Sequence, residues 1–364
     1  MNNIKRQKLE QILFLLSYYF YRYVANVIVG ALDPDSPNQS YLLHSVQLER
    51  KNSQTIARTL TEALEILWPT GIKYDRVLLF VTDGAAYMRK VGKDLKVLYP
   101  KMLHVICVAH NLHVVADFIR NLFKKADQLI NTVKKIYLKA PYRVQKLKEK
   151  FPDLQEPPSP VITRWGTWLT AVKYYAREWN RIKELVEDLD NDDAAAIVQA
   201  KKLFKENQTF AEINFVNQHY SFLADSIQEL EAAQKPIRET LNILKTVIQK
   251  ITNVSDEPNL NLDNVAKTVR EKLSAVLIKN TAIKVMDAMV KNDVEKLKTF
   301  QEFSNITPFE LSLYTYAPLV SCDVERSFSQ YKNVLSDNRK SFIFENLKHH
   351  VVIACNSTTD STDE

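Results

Sequence analysis

This sequence is poor in the residues that make loose or stapled proteins. Among 364 residues there are 5 glycines and 13 prolines, too few for flexible linkers or for a turn-rich all-β fold. The three cysteines, Cys107, Cys322 and Cys355, stand far apart and are odd in number. That argues against a disulfide framework and for a reducing, intracellular compartment rather than secretion. No apolar run approaches the ~20 residues of a membrane span. The longest early one, Ile12 to Phe20, carries Ser17 and has tyrosines around it, without the small-residue cleavage site of a signal peptide. No Cys-x-x-Cys occurs, and the Cys and His residues do not pair at zinc-finger spacing. Neither sign of charge dominates: the formal net charge is +6, a bias that permits nucleic-acid binding without demanding it.

Hydrophobic residues make up 46% of the chain, a globular value at a length that supports a large core and more than one domain. The first third alternates two periodicities. Tyr23 to Leu32 is β-rich, Asp33 to Ser40 is turn chemistry, and Tyr41 to Leu48 is a second strand, so the two form a hairpin. Ser53 is placed to cap a helix whose Ile56, Leu60, Ala63, Leu64 and Leu67 keep helical spacing until Pro69 and Gly71. Then comes an apolar run that ends in an acid: Val77-Leu78-Leu79-Phe80-Val81-Thr82-Asp83. It reads as a buried strand with a carboxylate at its C-terminal end, the edge of an α/β sheet where chemistry tends to sit. A helix over about Ala85 to Leu98, a strand over Met102 to Cys107 and a long helix from near Ala109 follow. A hairpin followed by crossover units predicts a mixed sheet covered by helices, an α/β class.

From about residue 124 to 306 strand signals nearly vanish and helical spacing takes over, with a proline-rich break at Pro152 to Pro160. This predicts a large all-helical insertion. Residues 120 to 151 hold ten Lys or Arg, among them Lys134, Lys135, Lys139 and Arg143, against Asp127 and Glu149. The local excess of eight exceeds the net charge of the whole chain, which favours a phosphate-contacting surface over a merely solvated face. Near the end, Ser321 is positioned to cap a helix with Val324, Phe328, Tyr331 and Leu335 on one face. A second helix carries Ile343, Leu347, Val351 and Ala354. The stretch 356–364 reads as an acidic, disordered tail.

Four short motifs, in order, resemble the hAT superfamily of DNA transposases and the host proteins derived from them. They are Val81-Thr82-Asp83-Gly84-Ala85-Ala86-Tyr87-Met88, then Cys107-Val108-Ala109-His110, then Thr163-Arg164-Trp165, and finally Asp323-Val324-Glu325-Arg326-Ser327-Phe328-Ser329 with Glu345-Asn346-Leu347. Each alone is weak; their order and spacing carry the likeness. The resemblance implies an RNase H-like mixed sheet flanked by helices and interrupted by a large all-α insertion domain. Its division would be a first core part over 1–123, the insertion over 124–306, and C-terminal core helices with a dimerisation region over 307–355.

The resemblance further implies Asp83 and Glu325 as two of three acids that would hold paired Mg²⁺ or Mn²⁺ for DNA cleavage and strand transfer. Cys107 and His110 would support that site, and a zinc role for Cys107, His110 and His113 is the less favoured alternative. Arg164 and Trp165 would lie near an unpaired DNA end. The third acid belongs on a first strand, and the segment Leu13 to Arg22 has none. Asp33 and Asp35 should sit at the opposite sheet edge, and Glu10 lies in a helical-looking stretch. The first strand is therefore expected to be missing or replaced and the metal site incomplete. The resulting expectation is a transposase-derived, DNA-binding, self-associating nuclear protein. It would have no membrane or small-molecule partner, no competent transposition, and a metal cofactor only if active. The alternative is an active or formerly active transposase represented by a truncated gene.

Overall fold

A computed structural model describes residues 12–19, 24–36, 39–50, 52–160, 166–232, 235–256, 264–334 and 343–357, residues 12–19 and 332–333 by their backbone. The first part of the chain runs β1 (Ile12–Tyr19), β2 (Val24–Ala31), β3 (Ser40–Gln47), α1 (Ser53–Leu67), β4 (Val77–Thr82), α2 (Ala86–Leu95), β5 (Leu103–Ile106) and α3 (Val108–Leu122). Helices follow: α4 (Lys124–Tyr137), α5 (Pro141–Lys150), α6 (Gly166–Glu187), α7 (Ala195–Lys205), α8 (Asn207–His219), α9 (Phe222–Glu231), α10 (Ile237–Thr252), α11 (Val265–Ile278), α12 (Ala282–Val290), α13 (Val294–Lys298) and α14 (Pro308–Ser312). The last two are α15 (Cys322–Val334) and α16 (Phe344–Ser357). Among the described residues no helix is long and apolar enough to cross a membrane.

The five strands form one sheet in the order β3-β2-β1-β4-β5. β1 is antiparallel to β2 along its whole length and parallel to β4, while β2 and β3 make the expected hairpin and β4 and β5 run parallel. The protein is thus of the α/β class, with a mixed sheet and a large helical content. One expectation is overturned: the first strand is not missing, because Ile12–Tyr19 fills the central place. A central strand is specified by apolar, β-prone residues and by partners on both sides. An acid is not a requirement, and its absence from this run said nothing about the backbone. The expected geometry of the hairpin holds: Ala31 at the end of β2 pairs with Ile12, which pairs with Val77 at the start of β4. Asp33 and Asp35 therefore leave the sheet at the end opposite Asp83.

The chain divides into two compact units, residues 1–111, 230–242 and 279–364 in one and residues 112–229 and 243–278 in the other. In the sheet unit, α1 lays Ile56, Leu60, Ala63, Leu64 and Leu67 into a core with Val27, Val29 and Phe80. Each buried Ile or Leu among them contributes about 2 kcal/mol of apolar transfer free energy. The cap of α1 is Asn52 rather than Ser53: its Oδ1 accepts the Thr55 N–H at 2.9 Å. β4 is buried throughout, as its unbroken apolar run requires. Of the C-terminal helices, α15 packs on β1 and β2, and α16 on β3 and α15. Val324, Phe328, Tyr331, Leu347 and Val351 are buried as expected, whereas Ile343 is 72% exposed. Both edge strands are closed by an asparagine amide. Asn356 donates to Leu42 O and accepts from Leu42 N at 3.1 and 2.9 Å, and Asn280 does the same to Ile106 at 2.5 and 3.2 Å.

The second unit is helical, and its boundaries differ from the expected 124 and 306. The division falls inside α3, where helical periodicity continues without a turn to mark it. At the far end, the bonds of Asn280 to β5 bring the chain back into the sheet unit well before residue 306. Within this unit Glu212 on α8 is 3% exposed, and its Oε2 accepts the Lys125 and Ala126 N–H groups at 2.8 and 2.9 Å. It thereby caps the start of α4 from another helix. Phe123, Phe215 and Tyr220 pack their rings beside it at 5.7 to 6.5 Å between centroids.

Candidate functional site

β4 and the turn after it deliver Asp83. Thr82 is buried at the strand end, and its hydroxyl donates to Asp83 O at 2.9 Å. The same hydroxyl lies 2.9 Å from His104 Nε2. With its one proton given to the carbonyl, Thr82 must accept from His104, so the imidazole carries its hydrogen on Nε2. Burial, then the Lys96 charge, lowers the His104 pKa to about 4. The ring stacks on Phe80 at 5.3 Å between centroids and lies against Gly92, where an added Cβ would come within 2.0 Å of Nδ1.

Asp83 is half-buried. Its Oδ1 accepts the Ala85 N–H at 2.8 Å, and Ala85 rather than Asp83 is the residue that caps α2. The carboxylate thus folds the turn without being the helix cap. Burial pushes its pKa up; the Ala85 bond and the charges of His110 and Arg89 pull it back. Those two neighbours frame Gly84. Arg89 donates to Gly84 O, and a Cβ on Gly84 would stand 3.3 Å from His110 Cδ2 and 3.5 Å from Ile106 Cγ2. The close approach of the imidazole ring explains the glycine at this point.

Cys107 joins β5 to α3, and His110 stands in the first turn of α3. Cys107 gives its N–H to Thr82 O at 2.8 Å, and its buried Sγ accepts the Ser321 N–H at 3.3 Å. Burial pushes the thiol pKa up, against the hydrogen bonds it receives from Ser321 and from the His110 backbone. A buried thiol employed this way is a structural tie, and its protonated form is not a zinc ligand. Ser321 serves the same tie with its backbone. Glu325, in the first turn of α15, is exposed, and its charge is among those acting on Cys107.

The divalent metals implied by the motifs need converging oxygen donors. Around Asp83 the described neighbours are an imidazole, a guanidinium and a backbone amide, and the strand that should add an acid spells Ile-Leu-Phe-Leu-Leu-Ser-Tyr-Tyr. Among the described residues no three His, Cys, Asp or Glu are arranged to hold a metal ion. These residues do not fit a paired-metal site.

Of the other expected positions, Arg164 and Trp165 lie outside the described residues. The basic stretch is largely engaged within its own unit. Lys134 donates to Pro160 O at 3.2 Å, and Arg143 donates to Ile136 O at 2.9 Å and Asp193 O at 3.2 Å. Arg120 pairs with Asp127 at 2.6 Å, Lys125 with Glu206 at 2.7 Å and Lys150 with Glu184 at 2.6 Å. Lys135 and Lys139 are exposed, the latter at φ 55° just past α4. Acids from elsewhere in the unit thus dilute an excess that looks undiluted along the sequence.

Arg89 was missed by sequence reasoning, and so was Asn26. Asn26 is fully buried on β2 and donates to Ser327 Oγ of α15 at 2.8 Å. The one available signal was a polar residue inside an apolar strand. No protein-family model matches the chain, and no curated protein matches it.

Proposed function

We propose that this chain is a hAT transposase-derived protein with an RNase H-like core, which binds DNA and self-associates but does not cut or join strands. The observation that carries the reading is the sheet order β3-β2-β1-β4-β5 with β2 antiparallel to its neighbours, combined with Asp83 at the end of β4 and an acid-free β1 beside it. Glu325 on a helix packed over β1 and β2 supports the same descent. Lys135 and Lys139 are the cations best placed to meet phosphate. The exposed Ile343 and Ile353 on or beside α16 support self-association, and a nuclear location follows from DNA as partner.

Affinity for duplex DNA, followed by fluorescence anisotropy, is expected to fall linearly in log–log form as salt rises. Reversing both charges (Lys135→Glu with Lys139→Glu) should lower that slope by about 2; an unaltered slope removes this surface from the reading. Sedimentation should show more than a monomer. The enzyme reading has the retention of Asp83 and Glu325 in its favour. It gains the upper hand if Mg²⁺ or Mn²⁺ supports DNA cleavage that Asp83→Ala abolishes.

A further inference from the structure

The turn between α4 and α5 presents apolar and cationic side chains together. α4 ends at Tyr137 and α5 opens at Pro141. Between them Lys139 stands at φ 55°, a left-handed conformation for which glycine is the usual choice. Pro141 fixes the backbone at the start of α5. Arg143 reaches back to Ile136 O at 2.9 Å and across to Asp193 O at 3.2 Å, so the turn is tied down from both sides. On this tied turn Leu138 is 56% and Tyr142 62% exposed. Both therefore add little to the core of their unit. Lys146, one helical turn beyond Tyr142, holds its Nζ 4.8 Å from the centre of that ring. Lys135 and Lys139 are exposed, and among the described residues neither side chain has an ion pair or a hydrogen bond. The one acid of α5, Glu149, accepts from the Gln145 amide at 2.8 Å.

Cations alone are enough to hold the phosphates of a duplex. An open aromatic ring among them adds something a duplex cannot use, because paired bases already stack on one another. An unpaired base offers a free π-face, and every base has one. We infer that this turn binds single-stranded nucleic acid, with one base stacked on Tyr142 and the flanking phosphates met by Lys135, Lys139 and Lys146. Leu138 extends the apolar surface of the same turn. Lys146 lies beside the ring, where the phosphate of a stacked nucleotide would meet it. The choice of nucleic acid as partner rests on the proposed function; the preference for a single strand comes from Tyr142 and Leu138. The tied backbone presents the ring without a further ordering step, which favours binding. An anionic lipid surface is the competing partner for exposed aromatic and basic side chains.

The test uses the full chain with two labelled probes, an oligothymidylate of about 16 nucleotides, the upper span of a single-strand site, and a duplex of the same length. Both are titrated by fluorescence anisotropy at one salt concentration. Tyr142→Ala should lower the ratio of single-strand to duplex affinity by about tenfold, the worth of one stacked base. Tyr142→Phe keeps the ring and should keep the ratio. It also guards against a fold defect at this position. Lys146→Gln should reduce the salt slope for the oligothymidylate by about 1. A ratio that Tyr142→Ala leaves unaltered overturns the inference, as does an equal loss on both probes, which would make the turn a plain phosphate surface. Binding to phosphatidylserine vesicles that depends on Tyr142, with no binding to oligothymidylate, would assign the turn to a membrane instead. Duplex binding with its expected salt slope but no effect of Tyr142 removes this inference alone. Loss of both nucleic acids as ligands removes the proposed function with it.

Discussion

Two carboxylates shielded from solvent to different degrees, Asp83 and Glu212, receive backbone N–H groups at a helix start, yet they are employed differently. Glu212 takes two amides of α4 on one oxygen and the Gln208 side chain on the other, at 3.3 Å. It is a structural acceptor with both oxygens engaged, and its raised pKa comes from burial. Asp83 takes one amide among the described residues, is only half-buried, and stands beside His110 and Arg89 at the end of a strand. Burial and a shifted pKa therefore do not by themselves mark a functional acid. The two part ways in how much of the acceptor capacity the fold has already consumed.

That contrast stands or falls on what each carboxylate is worth to folding. Glu212→Ala leaves two buried N–H groups without an acceptor and opens a void, so it should cost about 3 kcal/mol in urea unfolding. A cost below about 1 kcal/mol would show that Glu212 is no more structural than Asp83. The next effect concerns the shelf on which Asp83 rests. His104 is neutral in the folded protein with a pKa near 4, whereas in the unfolded chain it titrates near 6.5. The unfolded state therefore takes up the proton first. Stability is complete above about pH 6.5 and falls by about 2–3 kcal/mol as pH drops toward 4. In His104→Gln that part of the acid slope should vanish, and an unchanged slope would place the titration elsewhere. The smallest effect is expected for Asp83→Ala. Losing one N–H bond is offset by removing a poorly solvated carboxylate, so stability should change by less than about 1 kcal/mol. A larger loss would make Asp83 a scaffold residue and erase its contrast with Glu212.

Much of the sheet was legible. The strands over 24–31, 40–47, 77–82 and 103–106 and the helices between them follow from apolar runs, turn residues and a change of period. β1 was misread because an acid was sought where a strand should have been, and Ile12–Tyr19 has the composition of a buried strand without that acid. At the site, Asp83, Cys107 and His110 were visible because each lies in a short local motif. The ties from Cys107 to Ser321 and from Asn26 to Ser327 were not, since they join residues 214 and 301 positions apart. Local periodicity carries no trace of such contacts. The ion pairs of Lys125 with Glu206 and of Lys150 with Glu184 and Asp188 were illegible for the same reason, since these acids come from distant parts of the chain.

The paired asparagines at the sheet edges have a consequence for how this protein meets others. A free edge strand is a template for a further strand from any passing chain. Here Leu42 and Ile106 each have both outward backbone groups already matched by an amide that mimics one residue of a neighbouring strand and then ends. A primary amide has no chain beyond it to continue the ladder, so each edge carries a full stop. A strand from another copy that added to the sheet at Leu42 or Ile106 would first have to evict Asn356 or Asn280.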